Sequence, residues 1–160
     1  MSKAKATQVQ SGALPYRRLA NAAIEVMLIT SRDTGRWVIP KGWQDGELTP
    51  QDSAEREARE EGGLVGRISD HPIGRYRYRK KLSDGSSVAC SVEVFPLEVK
   101  RQLKSWPERK ERHTRWFMQR EAAAAVQEPQ LAAMIRSLRK LLVVARAQPA
   151  KVVRRRVTAA

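Results

Sequence analysis

Short strand-like runs, one acidic helix and then further helices place this chain in the α/β class (α+β), with a mixed sheet covered by helices. Three observations predict it. Runs rich in β-branched and aromatic residues fall at 18–30, 37–40, 74–81, 87–98 and 115–118, bounded by turn residues. A helix with clear start and stop signals interrupts them after the second run. Near the C-terminus, Leu131, Met134, Ile135, Leu138, Leu141 and Leu142 recur at helical spacing, which reads as core packing.

Residues 1–14 are small and polar and are expected to form a disordered tail ahead of a domain spanning 15–146. The strand within 18–30 ends in Ala-Ile-Glu-Val-Met-Leu-Ile-Thr. Trp37-Val38-Ile39 forms a second, short strand that Pro40 ends, because proline cannot continue a ladder. Thr49-Pro50 starts the helix, with Thr as N-cap and Pro at the first helical position. Asp52 in the first turn complements the helix dipole, and Gly62-Gly63 supply a stop, so the helix spans about 50–61. Residues 74–81 and 87–98 read as a hairpin around Ser83-Asp84-Gly85. Residues 115–118 form a short strand. Helices follow at 121–127 and 131–146, split by Glu128-Pro129. The tail 147–160 is basic. The chain shows no internal repeat.

Composition bounds the function. A chain of 160 residues and 18.1 kDa suits one domain with its own core. Cys90 is the single cysteine, so no intrachain disulfide forms, and its alternation with Val88, Val92 and Val94 marks a small buried residue. The first residues hold no apolar signal core and no run is long enough for a membrane helix, so a cytoplasmic protein is the expectation. The net charge of +14 favours anionic partners. His71 and His113 are isolated and Cys90 stands alone, which removes a zinc pattern.

Against that basic background, Asp45 to Glu61 holds seven of the 17 acidic residues and two of the 31 basic ones. Crowded carboxylates repel one another, and a bound divalent cation offsets that repulsion through oxygen ligands. On the helix, Glu57, Glu60 and Glu61 share one side at spacings of three and four. Pairing of Glu55 with Arg59 and of Arg56 with Glu60 leaves this face acidic.

Gly42, followed by Arg56-Glu57-Ala58-Arg59-Glu60-Glu61-Gly62-Gly63-Leu64, resembles the Nudix box of the Nudix hydrolases, Gly-x5-Glu-x7-Arg-Glu-apolar-x-Glu-Glu-x-Gly-apolar. The one departure is Leu48 at the first Glu of the pattern, with Glu47 one residue early. The resemblance implies an α/β/α sandwich with a mixed sheet and a metal-dependent pyrophosphohydrolase. It implies Glu57 and Glu61 as metal ligands with the Gly42 carbonyl, Glu60 as catalytic base and Arg56 as the brace of the loop. Glu93, in the hairpin strand, is the reserve base. The ion implied is Mg²⁺ or Mn²⁺, which carboxylates and water both suit.

As a strand, residues 74–81 point Arg75, Arg77 and Arg79 to one face and Tyr76 and Tyr78 to the other. Guanidinium forks suit phosphate oxygens, while an edge strand protected by charge is the alternative. Arg17, Arg18, Ser31, Arg32, Arg36 and Lys41 adjoin the box in sequence and are further candidates for substrate binding. Tyr16-Arg17-Arg18, Ser31-Arg32, Arg36-Trp37-Val38-Ile39-Pro40 and Arg115-Trp116-Phe117 resemble the diphosphoinositol polyphosphate phosphohydrolase branch. That implies a polyphosphorylated small-molecule substrate, either a diphosphoinositol polyphosphate or a diadenosine polyphosphate. An RNA 5′-pyrophosphohydrolase and a non-catalytic binding module on the same scaffold remain open. The chain carries no RNA-binding motif.

Overall fold

The computed structural model of the protein describes residues 6–44 and 46–148. Within them, eight strands form one mixed sheet, covered by helices on both faces. Its strands are β1 (Gln8–Arg18), β2 (Ile24–Thr30), β3 (Trp37–Val38), β4 (Lys41–Trp43), β5 (Leu64–Ile68), β6 (Gly74–Lys81), β7 (Ser87–Gln102) and β8 (Thr114–Met118). The helices are α1 (Pro50–Gly62), α2 (Gln119–Ala125), α3 (Pro129–Arg136) and α4 (Leu138–Ala147).

Strand alternation sorts the core into two layers. Ala13, Met27, Phe95 and Leu97 face α1 and pack on Ala54 and Ala58. Their chain neighbours Leu14, Val26, Leu28 and Val94 face the other way, onto Leu131, Ile135 and Leu138 of α3 and α4. Small alanines on α1 let that helix lie close to the sheet, and close packing positions the acidic side chains that follow.

The centre of the sheet is β1, which corrects the expected disordered tail over residues 8–14 and the domain start at 15. From Gln8 to Tyr16 it runs parallel to Cys90–Glu98 of β7, while Tyr16–Arg18 and Gln10–Gly12 pair antiparallel with β2 and β4. Polar composition hid the strand. Gln10 and Ser11 are almost fully buried, and their partners come from distant segments. Tyr78 Oη donates to Gln10 Oε1 at 2.7 Å and Gln44 Nε2 donates to Ser11 Oγ at 3.1 Å. A buried polar side chain is tolerated when so paired. The expectation for residues 1–5 and that for the basic tail from 149 lie outside the described residues.

Three smaller differences concern boundaries. The strand expected over 18–30 divides into the end of β1, a turn with Ala22 at φ 65°, and β2. The helix expected over 131–146 breaks at Ser137, where ψ opens to 9°, giving α3 and α4. A short strand after the acidic helix, β5, pairs with the far end of β7 and was absent from the sequence reading.

Candidate functional site

The acidic helix is placed by its caps. Thr49 Oγ1 accepts the Asp52 amide at 3.1 Å, and Pro50 occupies the first turn. Gly63 closes the helix at φ 65° and donates its N–H to the Arg59 carbonyl at 3.0 Å. A side chain on Gly63 would be doubly obstructed, because its Cβ would stand 2.3 Å from the Trp106 ring.

Opposite the helix lies β4. A Cβ on Gly42 would fall 2.4 Å from the Glu57 carboxyl, so glycine here lets the strand backbone touch that carboxyl. The preceding amide, Lys41 N–H, donates to Glu61 Oε2 at 3.2 Å. The Glu57 and Glu61 carboxyls lie close enough to perturb each other directly. Burial raises Glu61 to about 8, with further upward pressure from Glu57 against the lowering pull of Arg112 and Lys41. Burial also raises Glu57, and Glu60 adds to it. Two carboxyls this close do not both ionise without a proton or a cation between them. Hard oxygen donors in a cradle kept open by glycine fit a divalent cation. Glu57 and Glu61 would hold it.

Helical spacing puts Glu57, Glu60 and Glu61 on one side of α1, but the three do not form one ligand group. Among the described residues, no group of three acidic, histidine or cysteine side chains is placed to hold a metal. Glu60 stands beside Glu57 but is half-exposed, and its backbone carbonyl accepts the Glu108 amide at 3.0 Å. Arg56 Nη2 lies 3.7 Å from Glu57 Oε1, at the edge of the pair. Leu48 is half-buried in the loop before the helix.

From Gly42 a row of residues crosses four adjacent strands. Gly42 pairs with Ser11, Ser11 with Glu93, and Glu93 with Arg75. All four face α1, since their neighbours on β1, β6 and β7 belong to the opposite core layer. Gln44 Nε2 donates to both Ser11 Oγ and Glu93 Oε1, and Arg75 Nη2 is 3.4 Å from Glu93 Oε2. Glu93 is thus oriented from two sides, unlike a freely solvated strand residue. Three interstrand steps separate Gly42 from Arg75, roughly 14 Å. Arg77 and Arg79 continue on this face; both are exposed, and Arg79 Nε donates to Ser87 Oγ at 3.1 Å. Tyr76 and Tyr78 turn into the other layer, as the alternation predicts.

The remaining candidates divide by position. Ser31 caps the turn after β2, accepting the Thr34 amide at 3.1 Å. Arg32, from the same turn, reaches Glu108 at 3.4 Å and Glu111 at 3.9 Å. Arg36 is committed to Glu128 at 2.5 Å. Lys41 Nζ lies 5.0 Å over the Tyr78 ring, and burial lowers it to about 8, with Glu61 opposing that shift. Arg17 and Arg18 are set apart, which corrects their expected place in the same cleft. They end β1 beside Glu25 and Ile24, about 20 Å along the strand from Ser11. Arg17 there pairs with Glu25 and lies 4.0 Å over the Trp116 ring. That end also holds a polar cavity of about 300 Å³ between Tyr16, His71, Glu98 and Arg146, remote from the paired glutamates.

The sequence reading missed Glu108 and Arg112. They belong to the 103–113 connection between β7 and β8, and nothing in their local pattern distinguishes them from surface charge. Arg112 Nη2 lies 3.3 Å from Glu61 Oε1 and 3.2 Å from Glu108 Oε1.

Known proteins resemble this chain in sequence and in fold. The family model described as NUDIX domain matches residues 18–141. Nudix hydrolase 12, mitochondrial, of Arabidopsis thaliana is 36% identical over 128 residues, covering 70% of this chain and 63% of the relative. Nudix hydrolase 13, mitochondrial, of the same plant is 34% identical over 129 residues, again with 70% and 63% covered. The chain therefore spans a little under two thirds of these relatives. Among solved structures, a C. elegans Ap4A hydrolase binary complex superposes with a TM-score of 0.64 at 19% identity, covering 86% of this chain and 99% of that one. At that identity the likeness is one of fold.

Proposed function

The chain belongs to the NUDIX domain family, and from that premise we propose that it is a metal-dependent pyrophosphohydrolase that cleaves a phosphoanhydride in a polyphosphorylated small molecule. The observation that carries the reading is the corner where the Gly42 backbone, Glu57 and Glu61 meet. Mg²⁺ or Mn²⁺ bound there would neutralise phosphate charge and lower the pKa of a bound water.

The chain's own residues supply the rest. Glu57 and Glu61 would hold the ion, with the Gly42 carbonyl a third donor. Glu60 or Glu93 takes the proton of the attacking water. Glu93 has the firmer orientation, between Gln44 and Arg75; Glu60 is nearer the pair by sequence. Arg75, Arg77 and Arg79 hold phosphates away from the reacting one, across a span suited to a long polyphosphate arm rather than a single diphosphate. Of the other candidates, Arg32 is tied to the corner through Glu108, while Lys41 and Arg36 are engaged with the Tyr78 ring and Glu128.

That span and one neighbour of the same fold support the substrate class. A neighbour of the same fold is an Ap4A hydrolase, and diadenosine and diphosphoinositol polyphosphates both present extended anionic arms. The test is a panel with Mg²⁺ and with Mn²⁺: diadenosine polyphosphates, diphosphoinositol polyphosphates, nucleoside triphosphates, ADP-ribose and triphosphorylated RNA. Metal-dependent turnover of either of the first two is the expected result. Pyrophosphate released from RNA alone would move the assignment to RNA 5′ ends. Mn²⁺ binding without hydrolysis of any member would leave a binding module.

A further inference from the structure

The 103–113 connection is built against the C-terminal end of α1. Leu103 N–H donates to the Gly63 carbonyl at 2.8 Å, and Glu108 N–H donates to the Glu60 carbonyl at 3.0 Å. Trp106 fills the space that a side chain on Gly63 would need. These contacts deliver Arg112 to the site, and its side chain is only 9% exposed. Its guanidinium makes three kinds of contact. Nη1 donates to the Thr30 carbonyl at 3.1 Å; Nε and Nη2 donate to Glu108 Oε1 at 3.3 and 3.2 Å; and Nη2 lies 3.3 Å from Glu61 Oε1. Arg32 then pairs with Glu108 from outside. Positive and negative groups alternate along Arg32, Glu108, Arg112 and Glu61.

We infer that Arg112 is a positioning residue for Glu61, held to that task by Glu108 and the Thr30 carbonyl. Building on the reading of Glu57 and Glu61 as metal ligands, this adds a residue outside the acidic helix that sets the geometry of one of them. Glu61 is gripped from two sides: Oε2 takes the Lys41 amide and Oε1 faces Arg112. A carboxylate held at both oxygens keeps one rotamer, so its remaining lone pairs stay aimed at the corner with Glu57. Arg suits this better than Lys because its planar fork reaches a carbonyl and two carboxylates at once. Glu108 serves a separate purpose. It offsets the positive charge of Arg112, which would otherwise repel an incoming cation.

That offset also defines the test. Removing Arg112 alone changes both orientation and charge, whereas Arg112→Met with Glu108→Gln removes one charge of each sign. Any loss of Mn²⁺ affinity in the double variant then reports orientation. Mn²⁺ binding is measured by electron paramagnetic resonance of the free ion, without substrate, alongside circular dichroism for folding. Partners that orient a metal ligand typically contribute 10–100-fold to affinity, so the double variant is expected to bind Mn²⁺ at least about 10-fold more weakly. Arg112→Lys, expected to fall between it and the wild type, supplies the reading if the double variant does not fold. Wild-type affinity in the folded double variant, or in Arg112→Lys where that is the reading, would overturn the inference. Failure of the wild-type protein to bind Mn²⁺ would instead remove the metal reading itself.

Discussion

At the scale of single residues, the paired carboxyls make proton and cation alternatives for one place. Glu61 is raised to about 8 mainly by burial, so the folded protein binds a proton that the unfolded chain has released above its ordinary carboxylate range. Stability of the metal-free protein therefore falls as pH rises from about 5 to about 8. Lys41 acts with the opposite sign, because burial lowers it to about 8 and the unfolded chain then holds the extra proton. Above pH 8 its contribution rises with pH until the ordinary lysine range. Thermal unfolding in a chelator across this series should show the decline, then a flattening or reversal. Mn²⁺ should reduce the decline, since it takes the place of the proton. The base can be decided here too. Of Glu60→Gln and Glu93→Gln, the variant that removes the base should lose about 10²–10⁴-fold in kcat at unchanged metal affinity. Equal, near-wild-type turnover in both would leave the proton to neither. Both residues were named from sequence, but only the contacts of Glu93 with Gln44 and Arg75 show an oriented carboxylate.

Elements carry the next set of effects. α1 is begun by a Thr49 cap and ended by Gly63. Thr49→Ala should cost about 1 kcal/mol, the usual value for a lost N-cap hydrogen bond, with the metal corner intact. Chemical denaturation measures it. Gly42→Ala should behave in the reverse way. Its Cβ would meet the Glu57 carboxyl rather than core backbone, so metal affinity and turnover fall while the melting temperature changes little. A large loss of folding, with wild-type metal binding in the folded fraction, would contradict the role given to this glycine. On β6, the alternation of arginine and tyrosine predicted the two faces correctly because one face is buried, which fixes the register. Arg77→Ala should raise KM for long polyphosphates while leaving kcat nearly unchanged, as expected when a side chain holds substrate equally before and during reaction. An unchanged KM across the panel would return the row to protection of a charged edge.

On the scale of the whole molecule, β1 is the element most at odds with its local sequence. A polar stretch became the middle of the sheet because Tyr78 of β6 and Gln44, just after β4, bring side-chain partners to Gln10 and Ser11 from up to 68 residues away. A chain beginning at Pro15 would lose the β4 pairing and most of the parallel register with β7. It should be unfolded or insoluble, a result read directly from circular dichroism and solubility; a folded, soluble product would show that the strand is dispensable. By itself, the sequence determined the acidic helix, its caps and the spacing of Glu57, Glu60 and Glu61, because helical geometry is local and follows from adjacent residues. It also determined the alternation of β6. Tertiary structure alone decided that two glutamates, not three, share the corner, that Glu93 and Arg75 lie on one row with Gly42, and that Arg17 and Arg18 stand at the far end. It alone placed Arg112 against Glu61, across 51 residues of chain. Strand pairing and the burial of charge depend on which distant segments meet, and no local pattern of residue types records that choice.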